Sequence, residues 1–118
     1  MRKILVISKE APYYHQSLKE ALDMVLIFAA IDQQVSWLIE NDAVLALTPS
    51  QSPKQLGHKD FTKAIKMLEL YDVDQVYVCT DALTMHGLQS EELLIDVHKA
   101  TSIQKQELIS QADYVVVI

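Results

Sequence analysis

Residues 3–8 read KILVIS, a run in which apolar and polar positions do not alternate. A strand with one wet face alternates with a period of two, and a strand covered on both faces does not. Four more stretches share the pattern: QVSWLI (34–39), DQVYVC (74–79), LLIDV (93–97) and YVVVI (114–118). Between them lie helical patterns at about 16–31, 60–70 and 102–111, with a shorter one near 81–86. Asp60 and Thr101 are placed to cap the second and third. Strands alternating with helices predict a mainly parallel five-stranded sheet with right-handed crossovers, an α/β three-layer sandwich.

The 118 residues, half of them apolar and 22% charged, are read as one domain spanning 1–118. That length buries roughly two-thirds of the extended chain's surface, a core that needs no disulfide or metal staple. Intrinsic disorder is excluded. A net charge of -6 argues against direct nucleic-acid binding, which needs a Lys/Arg surplus, and against docking on anionic lipid. Gly57 and Gly87, the only glycines, are far apart, so no phosphate-cradling loop and no cofactor is expected. The single cysteine, Cys79, cannot form an internal disulfide and calls for no oxidising compartment. MRKILVISKE is too short in its apolar part for a signal peptide. The longest apolar run, Met24 to Ile31, falls far below a membrane span. A cytoplasmic protein is expected.

Two segments stand out. From Ala21 to Ile31 the first helical pattern has almost no polar face after Asp23. A helix on a sheet needs one apolar stripe; one that is apolar all round has its outer face covered too. A subunit interface is the favoured reading, a wedge between loops the alternative. Asn41 to Lys59 is a long connection that opens with AVLAL (43–47) and turns polar around Pro49 and Pro53. It reads equally as a partner-facing segment and as an ordinary surface loop.

Ligands of parallel sheets collect beyond the carboxyl ends of the strands. Cys79 ends its strand there, and Thr80 and Asp81 follow it into a short helix. Free N–H groups at a helix start favour a thiolate, while the Asp81 charge opposes it. His15 and His58 lie on the two neighbouring loops, within reach of the thiol. The alternative is a small buried hydrophobe, the commonest fate of a free cysteine. His15, His58 and His86 are the candidate binding residues at this edge. With His98 they are too scattered for a metal site, and none is expected. Ser8, Ser50 and Ser52 lack a nucleophile elbow. A lone Glu10 and the glycine-free SKEAPYYH (8–15) exclude a phospho-receiver and a flavin site.

LYDVDQVYVC (70–79) followed by ALTMHGL (82–88) resembles the central block of the DsrE/DsrF-like sulfur-relay family. The similarity extends to SKEAP (8–12), EALDMVL (20–26) and LTPSQSP (47–53), and so along the whole chain. The resemblance implies a flavodoxin-like fold and a place in a cytoplasmic TusBCD-type complex, a dimer of heterotrimers with TusB-like and TusD-like subunits. Such a complex passes persulfide sulfur from TusA to TusE, towards 2-thiolation of the tRNA wobble uridine. In the family the best-supported carrier cysteine belongs to TusD, and Cys79 occupies the similar strand-end position. His86 stands where a basic Arg is common before the glycine. The resemblance thus implies a structural partner of TusD; Cys79 as a persulfide carrier is the alternative, and a stand-alone homo-oligomeric binding domain a weaker one.

Overall fold

A computed structural model describes residues 2–9, 17–31, 33–47, 67–68, 70–71, 73, 75–93 and 95–118. Strands β1 (Lys3–Ser8), β2 (Gln34–Ile39), β3 (Val76–Cys79), β4 (His98–Ala100) and β5 (Tyr114–Val117) form one sheet. Its order is β4-β3-β2-β1-β5, and every pairing is parallel. With helices on both sides, this is the expected flavodoxin-like three-layer arrangement.

Alternation along β1 builds the layers. Ile4 and Val6 enter a large core with Val35, Trp37, Ile39, Val76 and Val78. Helix α1 (Ser17–Ala30) closes that core with Ala21, Leu22 and Val25, and helix α2 (Thr80–Met85) with Ala82 and Leu83. Leu5 and Ile7 point the other way, into a smaller core with Leu38 and Ala100. Helix α3 (Ser102–Gln111) lies over that face through Leu108, with Ala112 just beyond its end.

Local signals explain the boundaries. Thr101 caps α3 with a complete capping box: its Oγ1 accepts from Gln104 N–H at 3.3 Å, and Gln104 Oε1 accepts from Thr101 N–H at 2.9 Å. After α2, Gly87 takes φ +64° and Leu88 N–H donates back to Leu83 O at 2.9 Å, a turn that suits glycine. Buried Ser8, at the end of β1, is satisfied: its Oγ accepts from Trp37 Nε1 at 2.9 Å.

Three expectations need correction. LLIDV (93–97) is not a strand: Leu93 N–H closes a 3-10 turn onto Ser90 O, and Ile95 is buried in an irregular segment. Leu93, Ile95 and Val97 pack into the large core, and the strand comes later at His98–Ala100. AVLAL (43–47) is not the opening of a loop, since it belongs to a 3-10 helix, Asn41–Leu47, that buries Ala43, Val44 and Leu47. YVVVI is not covered on both faces; β5 pairs only with β1, and Tyr114, Val115 and Val117 are exposed. The helix expected at 60–70 lies mostly outside the described residues, as does its Asp60 cap, although residues 67, 68 and 70 are helical and Leu68 is buried.

The apolar character of α1 on every side is now placed. Ala21, Leu22 and Val25 are fully buried, and Met24, Leu26 and Phe28 are half-buried. Ile27 and Ile31 are 61% and 57% exposed, one turn apart on the outer side.

Candidate functional site at the carboxyl edge

The carboxyl ends of β2, β3 and β4 bring three side chains together. Cys79 closes β3, opposite Ala100 of β4. It is also the residue that precedes α2, with extended backbone (φ −63°, ψ 127°) and no side-chain cap. The sequence placed it correctly at a strand end and helix start. Its side chain is only 4% exposed and belongs to the large core, so the burial reading also holds. Asp81, in the first turn of α2, is exposed.

Glu40 follows β2 and is anchored by its N–H donating to Ser8 O at 2.8 Å. Its carboxylate accepts from Lys105 Nζ at 2.9 Å and lies 4.0 Å from Lys9 Nζ. Lys105 stands in α3, where its N–H donates to Thr101 O at 2.9 Å. The Glu40 hydrogen bond is the main reason the Lys105 ammonium is held above its usual value of 10.5. Burial works against this, while the charge of Glu40 and both the charge and hydrogen bonding of Cys79 add to it. The Lys105–Glu40 pair therefore stands at the same edge of the sheet as Cys79.

Neither of the described histidines joins this group. His86 is the C-cap of α2, about 10.5 Å along the helix axis from Cys79, and its Nε2 lies 3.1 Å from Asp42 Oδ1, tying α2 to the 3-10 helix. His98 stacks obliquely on Tyr77, ring centres 5.3 Å apart. His15 and His58 lie outside the described residues. Among the described residues no three His, Cys, Asp or Glu side chains could hold a metal ion, and no helix is long and apolar enough to cross a membrane.

Sequence reasoning missed Glu40 and Lys105. Their only local trace is a charge directly after an apolar strand and a lysine four residues past a capping threonine.

Comparison with known proteins adds the following. The DsrE/DsrF-like family model matches residues 2–118. A protein TusC homolog from Aliivibrio fischeri is 32% identical over 117 residues, 99% of each chain. An intracellular sulfur oxidation protein DsrF from Allochromatium vinosum is 37% identical over 94 residues, 80% of this chain and 69% of that one. The crystal structure of the YchN protein from E. coli superposes over the full length of both chains with a TM-score of 0.86 at 22% identity, a likeness of fold.

Proposed function

Because the chain belongs to the DsrE/DsrF-like family, we propose that it is a cytoplasmic subunit of a TusBCD-type sulfur-relay complex, a dimer of heterotrimers with TusB-like and TusD-like partners. The complex takes persulfide sulfur from TusA and delivers it to TusE for 2-thiolation of the tRNA wobble uridine. In this complex the chain is mainly a structural partner of the cysteine-bearing TusD-like subunit, and it makes no direct contact with tRNA. The observation that carries the structural role is the burial of Cys79, 4% exposed and without a second cysteine to resolve a disulfide. The exposed Ile27 and Ile31 on α1 support a life among sister subunits.

A second reading, in which Cys79 carries sulfur, is favoured by the Lys105–Glu40 pair beside it. In that step the Cys79 thiolate attacks the outer sulfur of a donor persulfide. The donor S–S bond breaks, the donor leaves as a thiolate, and Cys79 holds the outer sulfur as a persulfide with no net oxidant consumed. Replacing Cys79 by Ser in the otherwise intact complex separates the readings. Thiolation of tRNA is expected to fall less than about threefold, because the TusD-like cysteine carries the main flux and Ser is nearly isosteric. Complete loss with the complex intact would make Cys79 a primary carrier.

A further inference from the structure

The two outer strands of the sheet are finished differently. β4 (His98–Ala100) has three residues, with Lys99 in the middle. A short strand that carries a charge is a blunted edge. β5 (Tyr114–Val117) ends the other side of the sheet, and residues 114–118 hold neither a charge nor a proline. Its register with β1 runs unbroken from Ile4 opposite Tyr114 to Ile7 opposite Val117, so no bulge turns it away. Among the described residues no strand pairs with its outer side.

Alternation settles which backbone groups face out. Ile118 N–H donates to Ile7 O at 3.0 Å, so Ile118 points its backbone at β1, and Val116 and Tyr114 do the same. Val115 and Val117 therefore turn their N–H and C=O groups outward. Their side chains lie on the α3 face, level with Leu5 and Ile7, and both are exposed. Tyr114 is exposed on the opposite face. The strand thus offers two donors, two acceptors and apolar side chains on both faces. A helix covers one face; a strand laid alongside meets the edge and both faces at once.

This pattern is self-complementary. Antiparallel strands exchange paired hydrogen bonds between residues whose groups point at each other. A two-fold axis through Val116 sets Val115 opposite the partner's Val117, and Val117 opposite the partner's Val115, which makes four bonds. Valine then meets valine on the α3 face, and Tyr114 meets the partner's Ile118 on the other. An axis through Val115 would instead set Val117 against the partner's Asp113.

We infer that β5 is a docking edge for a second copy of this chain, joined antiparallel about a two-fold axis through Val116 into one continuous sheet. The contact uses this chain's own backbone and stands whether or not the chain passes sulfur. It is separate from the α1 surface, because α1 packs over β1 and β2. Four residues a side bury less than a standard interface, so the dimer is a weak one that forms at micromolar concentrations.

Val116→Cys tests the geometry in the full chain. Cα atoms of a directly opposite, non-hydrogen-bonded pair lie about 4.5 Å apart, within disulfide range. Under mild oxidation with diamide this variant is expected to form a covalent dimer through residue 116 about tenfold faster than Ile27→Cys does through its own cysteine, with linkages located by peptide mass spectrometry. Val117→Pro removes one outward N–H from each copy, and so two of the four bonds. Its dimer dissociation constant, from analytical ultracentrifugation, is expected to rise about thirtyfold. Val117→Thr keeps the N–H and is expected to stay within about threefold. A native chain that sediments as a monomer throughout the micromolar range overturns the inference, as does undiminished dimerisation of Val117→Pro. A Val116→Cys chain that cross-links no faster than Ile27→Cys overturns it as well, and this variant leaves the backbone intact.

Discussion

The two faces of the sheet are closed by different physics. On one face α1, α2, the 3-10 helix and Leu68 bury a continuous apolar layer around Trp37. On the other face α3 is the helix among the described residues, and none of its residues is buried. Ile103 and Ile109 of α3 and Tyr114, Val115 and Val117 of β5 are exposed. Burying one leucine contributes about 2 kcal/mol, a helix cap about 1, and an ion pair at the protein surface about 1 at most. Helix α1 is thus held by burial, and α3 by Thr101, Lys105 and the partial contact of Leu108. An element held in this way opens at lower cost than the global fold. Since Lys105 rides on α3, its ion pair with Glu40 ties the end of β2 to the less firmly held layer.

Matched truncations are the strongest way to break this comparison. Leu22→Ala, at a fully buried α1 position, is expected to cost about 3 kcal/mol in urea unfolding, and Leu108→Ala about 1 or less. Equal losses would mean that both layers are packed alike. A smaller effect tests the cap. Thr101→Ala is expected to cost about 1 kcal/mol and to speed amide exchange in α3 while α1 stays protected. If the two helices speed up together, α3 is not a separate opening unit.

The smallest effect concerns pH. A lysine raised above its ordinary value in the folded chain contributes fully below that value and loses its contribution as pH climbs through the raised one. For Lys105 the window therefore opens at about pH 10.5 and extends upward. The native chain is expected to lose about 0.5 kcal/mol more than Lys105→Met across it, measured as the shift of the urea midpoint. Curves that stay parallel up to pH 12 would remove the ion pair from the account of α3.

How much of this was legible beforehand depended on whether the signal was local. KILVIS and QVSWLI match β1 and β2 residue for residue, because a strand buried on both faces writes its burial into consecutive positions. Residues 102–111 match α3 and its Thr101 cap for the same reason: a capping box is complete within four residues. LLIDV misled because an apolar run reports burial without saying whether the backbone pairs. YVVVI misled because a run of valines does not say which neighbours exist to cover it. Cys79 could be located at a strand end, but Glu40 and Lys105 meet only through the strand order β4-β3-β2, which no spacing in the sequence encodes.

The strand order also sets a timetable. The inner strand β1 is bonded on one side by β5, and Lys3 N–H donates at 2.7 Å to Asp113, 110 residues further along the chain. At 5–20 residues per second, a ribosome needs roughly 5–20 s to supply that second neighbour. During those seconds β1 shows a bare backbone edge made of Ile4, Leu5, Val6 and Ile7, available to any other strand nearby. The pairing of β5 is therefore the event that ends the exposure of β1 to edge-to-edge association.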